Sequence, residues 1–500
     1  MEKQMNKLKN ILITMTTTIV IGGCAVTPEP VTQESLVQQR DDDMNRIFAN
    51  QEPVEGPISL YEAMARALKY NLDNRVKMME EALSVGELEV MRFDMLPDLT
   101  LDAGYHWRNN EPGASSESLI TGTESLEPSK SIERIYFDNS LIMSWNVLDF
   151  GVSYVRSQQQ ANRVMMMKER RRKVIQNIIQ DVRYAYWRAV SAQEILPEMD
   201  DMLQQADDAL AYASELEKLR LQSPMTPLRY QRSLLVLIRK LWTMREDLST
   251  AKTELAALIN IRPGTHFELA DTGTINDSSA KRIETPVEEL EDLALLQRPE
   301  LVEESYKKNI TTLEVRKAML SMFPGLEFTL GTDHQQNKYL FNESWNSVGY
   351  GITWNLLELI SGPARMRTAE AQGDLADMRR MAMNMAVLTQ VQLSYQRYHL
   401  ALRNQKTIKQ LDDVQSRITN NIVAGKRANR EHALEVLRSE TAALLARMRR
   451  HTAHAEVQNA LGRVYNSVGF DPVPDQDYEA GVEELASNIQ TRMEQLPTTL

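Results

Sequence analysis

The 500 residues carry 57 Lys and Arg against 69 Asp and Glu, a formal net charge of −12, and a single cysteine. The acid excess argues against a nucleic-acid partner, which wants a basic face. One thiol excludes an internal disulfide, so packing alone must hold the fold, and no later stretch of 18 apolar residues offers a membrane-spanning helix.

In chain order, the first 23 residues read as an export signal rather than as part of the fold. Lys3, Lys7 and Lys9 make a basic start, and Ile11 to Ile21 an apolar run. At about eleven residues that run is too short to span a bilayer, which takes about 20. The tetrapeptide Ile21-Gly22-Gly23-Cys24 resembles the lipobox of bacterial lipoproteins. The resemblance implies cleavage before Cys24 and acylation of its thiol. The competing reading is an ordinary signal peptide with an incidental cysteine. Ala25 stands where an Asp would mark inner-membrane retention, which favours the outer membrane. Residues 24–57 are expected to be a linker.

The rest of the chain reads twice. The stretch 67–99 aligns without gaps on 294–326, pairing Ala67 with Ala294, Pro97 with Pro324 and Leu99 with Leu326. "SWNVLDF" (144–150) then matches "TWNLLEL" (353–359), and "DVRYAYWR" (181–188) matches "QVQLSYQR" (390–397). Each half, 58–264 and 288–469, is expected to begin with one helix, over 61–95 and 288–322, stopped by Pro97 and Pro324. Period-two segments follow, as hairpins over about 98–147 and 325–356. Leu99, Leu101, Ala103, Tyr105 and Trp107 alternate with Thr100, Asp102, Gly104, His106 and Arg108. Polar loops are expected at 108–134 and 333–346. Beyond each hairpin lies a pair of long antiparallel helices, with tips near 222–228, where Pro224 and Pro227 break the run, and near 424–428, at Gly425. From Ala364 to Val423 the pattern predicts a helix of about 90 Å, packed side by side with its neighbours in coiled-coil fashion. Segments 25–57, 265–287 (a connecting segment) and 470–500 (a C-terminal tail) are expected to be irregular or mixed.

Four amphipathic strands cannot close a barrel, since the smallest membrane barrels need about eight and an open edge in lipid leaves backbone groups unpaired. In a membrane the chain must therefore oligomerise, two copies giving eight strands and three giving twelve. The other reading packs the apolar faces of two water-exposed hairpins on helices.

The repeated helix–"LP"–strand–strand–"W"–helix order, "LLQRPEL" (295–301), "INIRPG" and the lipobox together resemble the TolC-like outer-membrane efflux proteins of the lipoprotein subgroup. The resemblance implies a mostly α fold with a small β part. It implies a homotrimer whose strands make a 12-stranded outer-membrane β-barrel, continued by helical hairpins as a periplasmic tunnel. It implies partners as well: outer-membrane lipid, a periplasmic adaptor (membrane fusion) protein and, through it, an inner-membrane pump, with no cofactor and no chemistry. The two prolines at the first tip depart from the compact turn usual in the family.

In such proteins acidic residues past the second tip ring the entrance, which assigns Glu431 and Glu435 to that place. Spaced i, i+4 they share a helix face, and the competing reading is a solvated face. Lys426, Arg427 and Arg430 are candidates to hold the tip shut. The consecutive Met165–Met167 point about 100° apart on a helix and cannot converge on one metal, Met381, Met383 and Met385 share that fault, and both runs read as packing rather than as metal ligands. His451 and His454, three apart, are expected at the surface. No nucleophile elbow, phosphate loop or zinc signature is present. The leading expectation is thus a non-enzymatic exit duct for efflux or secretion, and the alternative is a lipid-anchored periplasmic coiled-coil scaffold with no pore.

Overall fold

The computed structural model describes residues 30–125, 127–218, 225–270, 283–427, 433–473 and 480–499. It divides into two units, Met1–Glu52 and Pro53–Leu500. In the first, helix α1 (Gln33–Ile47) is capped by Thr32, whose hydroxyl accepts from Ser35 N at 3.2 Å, and none of its residues is buried.

The second unit opens with α2 (Leu60–Tyr70) and α3 (Leu72–Phe93), where one continuous helix was expected. Asn71 breaks the run. Its backbone is extended (φ −61°, ψ 130°), and its side chain accepts from the N–H groups of Asp73 and Asn74, starting a new helix instead of continuing the old one. After strands β1 (Asp98–Trp107) and β2 (Ile135–Asn146) come α4 (Val147–Lys218), α5 (Met225–Ser249) and α6 (Ala251–Leu258). The order then recurs: α7 (Val287–Gln297), α8 (Pro299–Leu320), β3 (Gly325–Gln336), β4 (Ser344–Thr353), α9 (Leu356–Arg427) and α10 (Ala433–Ser467). The break between α7 and α8 falls on Arg298, which aligns with Asn71. Here the cause is Pro299, which drives the residue before it to extended geometry (φ −65°, ψ 127°).

Corresponding helices match in length: α2 and α7 have 11 residues, α3 and α8 have 22, α4 and α9 have 72. At 1.5 Å per residue the long pair reach about 108 Å each. α9 starts before the expected Ala364 and runs through Pro363, as α4 runs through Pro197. α4 packs on α3, α8, α5 and α10, and α9 on α8 and α10. The pairing of α9 with α10 is antiparallel, through Thr419 with Ser439, Asp412 with Arg450 and Gln405 with His454.

Segment 470–500, expected to be irregular or mixed, contains α11 (Val482–Thr499), which buries Val482, Leu485, Ile489 and Met493 and packs on α2. The core beside α2 includes Ile58, Met64, Leu68, Tyr186, Leu255, Ile259 and Leu269, all wholly buried. Tyr186 OH donates within reach of two carbonyls, Ile58 O (3.0 Å) and Ala270 O (3.1 Å), tying α4 to the short parallel bridge Ile58–Leu269. Ion pairs join the two halves here as well. Glu300 meets Arg298 at 2.8 Å and Lys173 at 2.9 Å. Burial pushes the Glu300 carboxyl up, but the two cations outweigh it and hold it down at about 2.

Candidate functional site: the sheet and the hairpin ends

The two hairpins join into one antiparallel sheet of order β1-β2-β3-β4. Its register sorts the side chains by face. Leu101 opposes Leu141, Trp145 opposes Phe328, and Leu330 opposes Val348. This apolar face is uncovered: Leu101 is 73 % exposed, Val348 81 % and Tyr350 84 %. The opposite face carries Asp98, Asp102, Asp138, Glu327 and Asp333, and the four strands contain no Lys or Arg. His106 stacks on Tyr136 and meets Asp138 at 2.9 Å.

The polar face is also the crowded one. A Cβ at Gly104 would stand 2.6 Å from an Asp138 oxygen, one at Gly331 2.6 Å from Ser347 Oγ, and one at Gly349 2.5 Å from Thr329 Oγ1. Small residues on that side let the cross-strand neighbours close up. The second loop is shorter than expected, 337–343 rather than 333–346, because Asp333 to Gln336 still pair with β2. Sequence alternation revealed both faces. It could not reveal the β2–β3 pairing, which turns two hairpins into one wall with β1 and β4 at its edges.

Of the candidate site residues, Cys24, Pro224, Arg430 and Glu431 lie outside the described residues. Gly425 is helical, inside the last turn of α9, and Lys426 and Arg427 are the last two residues of that helix. Glu435 is exposed in the first turn of α10, 3.7 Å from Arg438. Pro227 sits in the first turn of α5, where a missing N–H costs nothing.

His451 and His454, expected at the surface, are interior. His454 is 1 % exposed, set edge-on against Trp187 with ring centroids 4.5 Å apart, and Gln405 lies 3.2 Å from its Nδ1. Burial, with help from His451 and Arg450, pulls its imidazole down to about 4. His451 approaches Glu194 at 3.3 Å, and burial lowers it too. The error has a physical source: α10 is packed by α4 and α9 together, so even its polar positions turn inward. Among the described residues no group of three His, Cys, Asp or Glu is placed to hold a metal.

No family model matches the chain. Its sequence is similar to the cation efflux system protein CusC of Escherichia coli O157:H7, 22 % identical over 353 residues, which cover 66 % of this chain and 70 % of that one. Its structure is similar to the open-state MtrE outer-membrane channel of Neisseria gonorrhoeae, with a TM-score of 0.63 at 16 % identity over 84 % of this chain and 93 % of that one. The OprN outer-membrane channel gives a TM-score of 0.62 at 18 % identity, over 82 % and 89 %. The chain has the fold of the TolC-like outer-membrane efflux channels.

Within this channel fold the long helices leave regular apolar seams uncovered. On α9, Leu375, Met378, Met381, Met385, Leu393, Leu400, Leu411, Val414 and Ile418 are exposed. At 100° per residue they fall within a sector of about 120°. On α3, Leu72, Val76, Met79, Leu83, Val90 and Phe93 repeat at coiled-coil spacing and are exposed as well. Isolated exposed apolar residues are ordinary. Stripes in register along two helices are not.

Proposed function

We propose that three copies of this chain form an outer-membrane exit duct of a tripartite efflux or secretion system. The observation that carries the reading is the open sheet, apolar and uncovered on one face, acidic on the other, with β1 and β4 at its edges. In lipid such edges must pair, and a sister chain supplies the missing strand. Three four-stranded walls give a 12-stranded barrel with the aliphatic and aromatic face outward and the carboxylates inward.

The helical seams support the same assembly. The seam on α9 faces solvent in one copy and fits the stripe on α3 of the next, a head-to-tail contact that closes as a ring. At the far ends of the helices, Glu431 and Glu435 contribute carboxylates to the entrance, with Lys426, Arg427 and Arg430 beside them. A periplasmic adaptor docks at those ends and links the duct to an inner-membrane pump. Acylated Cys24 fastens the N-terminus to the outer membrane. An acidic lumen without Lys or Arg on its strands suits cationic cargo, in keeping with the name of the CusC relative.

Planar-bilayer recording tests the proposal. The purified protein is expected to run as a trimer in mild detergent and to give steady cation-selective conductance, and Glu431→Lys to move the reversal potential toward anions. A lone, non-conducting subunit would leave only the scaffold reading.

A further inference from the structure

Four arginines among the described residues are buried, and three of them rest on a carboxylate. Arg66 meets Glu62 at 2.8 Å, Arg171 meets Glu81 at 3.2 Å and Arg298 meets Glu300 at 2.8 Å. Arg183, on α4, is 5 % exposed and has no ion pair among the described residues. Its Nη1 donates to Gln458 Oε1 at 3.0 Å. Its Nη2 reaches only Met493 Sδ at 3.7 Å, a weak acceptor, and its Nε has no acceptor at all. Burial pulls the guanidinium down from its ordinary value, and only the phenols of Tyr465 and Tyr61 oppose that. An arginine keeps its proton even so. A full positive charge therefore lies inside the protein, at a large cost unless an opposite charge meets it.

The surroundings of that charge suit an anion. Arg183 lines a cavity between α4 and α10 together with Gln176, Gly462 and Tyr465, and no carboxylate is among the described residues lining it. Gln176 stands seven residues before Arg183, so the two side chains leave one face of α4. It is 4 % exposed, and neither end of its amide has a hydrogen-bond partner among the described residues. With no neighbour fixing it, the amide is at liberty to turn its N–H groups toward the cavity. Gly462 leaves the room, since a Cβ there would stand 3.3 Å from Gln180 Cγ and 3.6 Å from Arg183 Cδ. The cavity measures about 10 Å³, space for one water-sized particle. That size shuts out phosphate, sulfate and carboxylates.

We infer that this cavity is a binding site for a single halide ion, held by Arg183 Nε–H, a Gln176 N–H and the Tyr465 hydroxyl. Chloride is the abundant ion of that class. A water molecule fits the space but carries no charge, and it would leave the guanidinium uncompensated. The ion sits where three elements meet: α4 of the first half, α10 of the second and, through Met493, the C-terminal helix α11. Halide bound there fastens all three together. The site is complete within one chain, so it stands apart from the duct reading.

The test is the unfolding temperature of the full-length protein in detergent, freed of halide by dialysis against sodium methanesulfonate. Replacing that bulky anion by chloride at fixed ionic strength is expected to raise the unfolding temperature saturably, by about 2 °C or more. Bromide should do the same, and sulfate should not. Arg183→Met should fold, because a buried charge exchanged for an apolar side chain of similar size is tolerated, and it should lose the response. Gly462→Ala keeps the charge but narrows the cavity, and should raise the half-saturating chloride concentration about tenfold or more. Diffraction from bromide-soaked crystals gives the direct check, since an anomalous peak in contact with Arg183 Nε supports the site. A wild type indifferent to chloride, an equal rise with sulfate, a response that survives Arg183→Met, or no bromide beside Arg183 would each overturn it.

Discussion

His454 is held neutral by its surroundings, and that has a definite consequence for acid stability. Trp187 from α4, Gln405 from α9, and His451 and Arg450 from α10 itself face the ring; Glu194 and Asp412 act on the neighbouring His451. Its folded value of about 4 lies below the ordinary 6.5, so between these the unfolded chain binds the extra proton. Stability is therefore full above about pH 6.5 and falls as pH drops toward 4, by about 3 kcal/mol for this group. Glu300 acts in a lower window, losing its contribution only as pH falls from about 4.5 toward 2. The unfolding temperature of the wild type is expected to drop more between pH 7 and pH 4.5 than that of His454→Gln. Equal drops in the two proteins would remove the imidazole from the account.

Gly469 gives a second test at this scale. Its φ of +76° belongs to the left-handed region, and a Cβ would stand 2.8 Å from the backbone of Arg298 and Gln297. Backbone atoms cannot swing aside as a side chain can. Gly469→Ala combines the left-handed penalty with overpacking, a loss of about 2–4 kcal/mol. It should lower the unfolding temperature at every pH, unlike the histidine change.

Among the elements, α3 and α9 are the ones whose exposed faces demand a partner. Burying a Leu or Met side chain stabilises by about 1.5–3 kcal/mol, and a buried unpaired carboxylate reverses the sign. Leu83→Glu and Met385→Glu are each expected to shift the protein from trimer to monomer in size-exclusion chromatography while helical circular dichroism is kept. An unchanged elution volume would place the subunit contact elsewhere. The element scale also shows how far the sequence could be read. Pro97 and Pro324 marked the ends of α3 and α8, and alternation from Leu99 to Trp107 marked β1, because each signal is local. The break at Asn71 was invisible, since helix formers flank it and a side-chain cap decides the matter. Arg298 stood before a proline, so its break was legible but was overridden by the helical pattern on either side. Burial of His454 depends on three helices meeting, which no single-helix periodicity records. Of the candidate entrance residues, Glu435 lies on an exposed helix face, as either reading of it requires.

For the whole molecule, the duct and the scaffold differ in what holds the protein to the membrane. A scaffold depends on acyl chains at Cys24, and each buried methylene contributes only about 0.8 kcal/mol. Without them, a water-soluble helical body leaves the membrane. A duct is held by its barrel, whose outward face includes Leu99, Leu101, Tyr105, Val348, Tyr350 and Ile352 from every copy. Removing the lipid takes away a tether and leaves that band in place. Cys24→Ser, exported behind an ordinary cleavable signal, is therefore expected to stay with the membrane through alkaline carbonate extraction and to conduct as the wild type does. In the wild type, mass spectrometry should find an acylated N-terminal peptide beginning at Cys24. If the Cys24→Ser protein washes off as a soluble monomer, the sheet is not lodged in lipid, and its exposed apolar face must then be covered by something other than a bilayer.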